Sequence, residues 1–185
     1  WMTACPTSVQ HDESQIAVFG SQIIVIAGET LPADSKGNHL ITKATDIYSA
    51  TTGKFRKGPS VKTPREDFTA VALHDGSILI AGGVTNNDLE LPVNTGEIFK
   101  QSFKAIKQKM TTGRAGPAAA LMTAGAKAGQ VLIAAGTDTS EDTPQLATAE
   151  LYDPTKGTFT ATKGNLVAAR SFAIATALPD GTVLI

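Results

Sequence analysis

Three lone arginines, Arg65, Arg114 and Arg170, recur at similar distances along the chain, and three acids, Asp46, Glu97 and Glu150, recur with them. A guanidinium can grip an anionic ligand in two-pronged fashion, or it can brace backbone carbonyls and carboxylates inside a fold. Recurrence favours the bracing role, because a residue repeated once per structural unit serves the unit. Oxygen donors gather elsewhere, in Asn86, Asn87, Asp88 and Glu90, and again in Asp138, Glu141 and Asp142. Such groups select a polar partner or hold a hard cation, but the Asp-x-Asp-x-Asp-Gly spacing of a calcium loop is missing. His11, His39 and His74 have no partner at helical i, i+4 spacing. The segments Gly-x-Ser-x-Gly and His-Glu-x-x-His are absent, and Gly113-Arg114-Ala115-Gly116 lies between strand-like runs, not before a helix. No catalytic residue, metal set or cofactor is assigned from these residues.

The elements that must carry these side chains repeat. Apolar runs Ile23-Ile24-Val25-Ile26-Ala27-Gly28, Ile78-Leu79-Ile80-Ala81-Gly82-Gly83 and Val131-Leu132-Ile133-Ala134-Ala135-Gly136 are followed by a fourth, Val183-Leu184-Ile185. Equivalent isoleucines stand 54 (26 to 80), 53 (80 to 133) and 52 (133 to 185) residues apart. A period of roughly 50 residues marks repeated all-β units. The runs are continuous and not alternating, as in strands buried on both faces. Hairpin turns precede them, at His74-Asp75-Gly76-Ser77 and Pro179-Asp180-Gly181-Thr182, with Gly supplying the positive φ. Each unit reads as four strands. In the second these are Phe68–Leu73, Ile78–Ala81, a strand around Glu97–Phe99, and one from Phe103 to about Lys107.

Third and fourth strands carry paired aromatics across a tight turn: Tyr48 with Phe55, Phe99 with Phe103, Tyr152 with Phe159. With the double glycine Gly82-Gly83, the Tyr of strand three and the aromatic of strand four, the chain resembles a kelch-repeat β-propeller. Phe at the fourth-strand position, where Trp is usual, is closer to the bacterial repeats that resemble the central domain of galactose oxidase. In that comparison Gly28-Glu29 and Ala135-Gly136 are partial forms of the double glycine. The reading is all-β, about three and a half four-stranded blades of an incomplete ring. Residues 1–13 form an N-terminal segment, 14–67 blade 1, 68–117 blade 2, 118–172 blade 3, and 173–185 the start of blade 4. A ring needs four to eight blades, so the chain is expected to be a piece of a longer one, or to close a ring with a second copy.

Composition narrows the partners. With 16 basic and 17 acidic residues the net charge is −1, and nothing favours nucleic acid. No run of 18 apolar residues spans a membrane. The basic stretch from Lys100 to Lys109 alternates with apolar residues as a solvated strand face does. The single Cys5 forms no internal bridge. Only 18% of residues are charged, which leans toward a secreted or cell-surface protein. The longer loops (Glu29–Thr45, Val84–Thr95, Thr137–Thr148) share one face with the connectors bearing Arg65, Arg114 and Arg170. That face, with Asp34 and His39 also on it, is expected to contact a protein or glycan, and exposed blade faces are expected to self-associate. The galactose oxidase resemblance implies a second possibility, a copper enzyme whose catalytic residues lie outside this segment. Tyr48, Tyr152 and Cys5 cannot assemble its Tyr/His copper set. A structural module of an extracellular assembly is the third.

Overall fold

The structure, a computed structural model, describes residues 6–30, 40–85, 91–139 and 144–185. Among these every regular element is a strand. The first antiparallel sheet runs β1 (Gln15–Phe19), β2 (Gln22–Ile26), β5 (Thr45–Ser49), β6 (Lys54–Lys57). The second runs β7 (Glu66–Ala72), β8 (Ile78–Val84), β9 (Gly96–Phe99), β10 (Phe103–Ala105). The third runs β11 (Ala118–Leu121), β12 (Val131–Ala134), β13 (Ala149–Asp153), β14 (Thr158–Ala161). A short pair, β15 (Thr176–Ala177) with β16 (Val183–Leu184), starts a fourth. Another, β3 (Glu29–Thr30) with β4 (Leu40–Ile41), forms a ribbon between β2 and β5. First strands are neighbours: β1 packs on β7, β7 on β11 and β11 on β15. They are the innermost strands of successive propeller blades.

Strand β8 shows why the apolar runs are unbroken. Its seven residues are all buried. Ile78 and Ile80 enter the core shared with the first sheet, beside Ile24, Ile26 and Phe68. Leu79 and Ala81 point the other way, into the core shared with the third, beside Val131, Ile133 and Tyr152. A two-residue period between two apolar neighbours makes every position a core position. Each such Ile or Leu contributes about 1.5–3 kcal/mol on burial. The aromatic pairs meet across strands, with ring centroids 5.1 Å apart for Tyr48–Phe55 and 4.9 Å for Phe99–Phe103 and Tyr152–Phe159.

The turns repeat in atomic detail. Ser77 donates its amide and hydroxyl to Asp75 Oδ1, and Thr182 donates both to Asp180 Oδ1. The small-residue pairs also align, one residue earlier than the sequence suggests in the first blade. There the pair is Ala27-Gly28, matching Gly82-Gly83 and Ala135-Gly136. The second member is glycine each time, with φ of 83°, 91° and 94°. A Cβ at any of the three would run into a backbone carbonyl: Asp12 at Gly28, Glu66 at Gly83, Ala115 at Gly136. The first member is alanine in two blades, at φ of 52° and 65°.

Candidate functional site

The glycine amides stitch blade to blade. Gly28 donates to Arg65 O (2.8 Å), Gly83 to Arg114 O (2.7 Å) and Gly136 to Arg170 O (2.9 Å). Their carbonyls close the base of each long loop, accepting from Thr42, Val93 and Leu146 in turn. The three long loops therefore leave the same end of the blades from one repeated backbone joint, beside the inter-blade connectors. Of the residues expected to make contacts there, Asn86, Asn87, Asp88, Glu90, Glu141 and Asp142, like Asp34 and His39, lie outside the described residues. Asp138 is described and is exposed.

The arginines turn inward. Arg65 is fully buried and donates to Gly82 O (2.6 Å) and Glu97 Oε1 (3.2 Å). Glu97 also accepts the amides of Lys62 and Thr63 on the incoming connector. Arg114 does the same in the next blade, with Ala135 O at 2.9 Å, Thr148 O at 3.0 Å and Glu150 Oε1 at 3.5 Å. Glu150 accepts the amides of Thr111 and Thr112. Burial pulls both guanidinia below their ordinary range, and the facing carboxylates oppose it. Arg170 is half-buried and donates to Ala168 O and Ile185 O. Thus Arg65 and Arg114 tie strand one to strands two and three of their own blade.

The first blade carries the same clamp without an arginine. His11 Nδ1 lies 2.7 Å from Ala27 O and Nε2 lies 3.0 Å from Asp46 Oδ2, which also accepts the amide and hydroxyl of Ser8. Both ring nitrogens face acceptors, and the ring occupies the place that a guanidinium holds in the other blades. Burial alone would raise the Asp46 carboxyl, but the hydrogen bonds from His11 and Ser8 outweigh it and hold it below the usual range. Sequence spacing carries a signal for this. Arg65 stands three residues before Phe68, Arg114 three before Pro117, Arg170 three before Ala173, and His11 three before Ser14. The residue two after each clamp has positive φ in all four cases: Glu13, Asp67, Gly116 and Phe172.

Between the first strands lies an open cavity of about 310 Å³, lined by Gln15, Asp67–Ala70, Gly116–Ala119 and Phe172–Ala175. At the long-loop end of the first and second blades three acids converge, Glu13, Glu29 and Glu66, with a carboxylate oxygen from each lying within 4.8 Å of the others. Burial, reinforced by Glu29, Glu13 and Asp67, pushes the Glu66 carboxyl up to about 9. This cluster was not legible as a site, because its members are 53 residues apart in sequence (13 to 66) and belong to no motif. Tyr48 and Tyr152 stay in their cross-strand aromatic pairs.

No protein-family model and no curated protein matches the chain. Among solved structures, one titled "Structure of YjhT" is similar with a TM-score of 0.69 at 13% identity. The match covers 87% of this chain and 54% of that one, so the chain spans about half its length. The likeness is one of fold. The chain folds as part of a β-propeller.

Proposed function

We propose that the chain is a kelch-like propeller segment, of the bacterial type similar to the central domain of galactose oxidase. In this reading it is a non-catalytic binding module of an exported or surface protein. The contact face is the long-loop end, and the partner is a protein or glycan. The observation that carries this reading is the common backbone joint at Gly28, Gly83 and Gly136, at which the bases of three long polar loops are closed at the same end of the blades. Loops held on a rigid scaffold concentrate binding residues. The inward turn of Arg65 and Arg114 assigns them to the scaffold, and leaves contact to the loop acids and amides, Asp138 among them. The described tyrosines, held in aromatic pairs, favour binding over copper chemistry.

The apolar outer face of the first sheet belongs to the same reading. Ile16 is 62% exposed and Val18 61%, on a strand whose inward residue Ala17 is buried. Such a face is where a further blade, from this chain or a second copy, continues the stack.

A glycan array probed with the chain, followed by titration of the best ligand, tests the contact face. Replacing Asn87, Asp88 and Asp138 together by Ala is expected to weaken binding at least about tenfold with an unchanged melting temperature. Lys156→Ala, in a turn at the opposite end, is expected to leave affinity unchanged. The reverse pattern would overturn the assignment of the face.

A further inference from the structure

We propose that Glu13, Glu29 and Glu66 form a calcium site at the long-loop end of the molecule, between the first and second blades. Each residue offers one oxygen, and no pair of these oxygens is separated by more than 4.8 Å. Oxygens on opposite sides of one Ca²⁺ stand about 4.6–5.2 Å apart, twice a bond of about 2.3–2.6 Å. Around Mg²⁺ the same span is about 4.0–4.2 Å. The three carboxyl oxygens therefore lie within the span of one calcium shell.

An orphaned atom points to the ligand. Glu66 is only 7% exposed, and its Oε2 is buried with no hydrogen-bond partner, while its other hydrogen bond runs to Glu29 inside the cluster. A buried carboxyl oxygen that meets neither donor nor cation is costly to keep. Arg65, the preceding residue, does not answer it: its terminal nitrogens are turned to Gly82, Thr95 and Glu97, and its Nε, itself unpartnered, makes no hydrogen bond to Glu66. The charges that act on Glu66 most strongly are all acidic: Glu29, Glu13 and Asp67. A divalent cation that displaces the Glu66 proton on binding answers the orphan oxygen and the acidic surroundings together.

The next blade boundary serves as an internal control. The residues equivalent to Glu13, Glu29 and Glu66 there are Asp67, Val84 and Ala115. The clamp, the glycine joint and the positive φ all persist at that boundary, yet two of the three acids are gone. The blade architecture does not require them. Burial grades across the site, with Glu66 buried, Glu29 half-buried and Glu13 exposed. This gives a dry inner wall and an open side through which an ion enters and water completes its shell.

The test is calorimetric titration of CaCl₂ into the chelator-treated chain, with melting temperature followed in parallel. One ion per chain is expected, with a Kd of about 10⁻⁴–10⁻³ M and a melting temperature that climbs with calcium concentration. Glu66→Gln is expected to weaken affinity at least about tenfold. Glu13→Gln, at an exposed position that does not threaten folding, is expected to weaken it severalfold and decides the matter if Glu66→Gln fails to fold. Asp138→Asn should bind as wild type. Absence of saturable binding at about 10 mM Ca²⁺, wild-type affinity in Glu13→Gln, or equal affinity for Mg²⁺ would each overturn the site. None of these readouts depends on the protein or glycan partner.

Discussion

Arg65 and Glu66 are adjacent, both buried and both ionisable, and the molecule treats them in opposite ways. Arg65 recurs, as Arg114 and, in the first blade, as the imidazole of His11, and its terminal nitrogens meet acceptors each time. Glu66 does not recur: Asp12, Ala115 and Ser171 stand at its position in the other repeats, and its Oε2 meets nothing. The difference separates two kinds of buried ionisable group. One that returns with every blade, its terminal nitrogens bonded within that blade although Arg65 Nε and Arg114 Nε are not, is a structural part. One that appears at a single boundary and stays unsatisfied is where a ligand should be sought. In a repeat protein the chain supplies its own reference for this test, because each blade shows what the architecture alone demands.

The largest expected effect breaks the recurring side of the comparison. Arg114→Met removes the donors to Ala135 O and Thr148 O and leaves Glu150 buried with only backbone amides. Removing one partner of a buried ion pair costs about 3–5 kcal/mol, read as a lower urea midpoint at unchanged slope. A loss under about 1 kcal/mol would mean that the clamp is not structural. His11→Ala should cost less, about 1.5–3 kcal/mol for hydrogen bonds to a charged group. Asp46 keeps both of its bonds from Ser8 in that variant. A cost equal to that of Arg114→Met would show that imidazole and guanidinium carry the same load, and would erase the distinction between the first blade and the others.

What could be read from the chain divides along the same line. The period near 50, the unbroken apolar runs and the aromatic pairs reported strands, sheets and blade order, because each records a demand every blade makes. The bracing of Arg65 by Glu97 and of Arg114 by Glu150 was legible for that reason. His11 was not, since imidazole and guanidinium look unlike in sequence although each sets ring or guanidinium nitrogens between a carbonyl and a carboxylate. The carboxylate cluster was invisible because it is an exception to the repeat. Glu13 precedes β1, Glu29 leaves β2 and Glu66 opens β7, and only the packing of β1 against β7 brings them together. The small-residue register slipped by one in the first blade, where the pair is Ala27-Gly28 with Ala27 at positive φ, as Ala135 is in the third.

The smallest expected effect sharpens the comparison from outside the core. At the opposite end of the blade, Lys100 Nζ lies 2.8 Å from Asp75 Oδ2, joining the turn between β7 and β8 to that between β9 and β10, with both side chains more than half exposed. The hydrogen bonds from Lys100 and Ser77 hold the Asp75 carboxyl down at about 2, against weak opposition from burial. A carboxyl whose folded value is depressed adds stability above its unfolded value near 3.8, and that stability is lost as pH falls through about 2. Solvent screens a pair this exposed, so Lys100→Ala should cost only about 0.2–1 kcal/mol near neutral pH, nothing measurable in about 1 M salt, and progressively less as pH falls through about 2. Arg114→Met, by contrast, should keep most of its cost in high salt, because its partners are sealed from the ions. If the two variants respond alike to salt, the clamp is open to solvent and the contrast drawn between Arg65 and Glu66 loses its footing. If only Lys100→Ala responds, burial is what gives the repeated cation its structural weight.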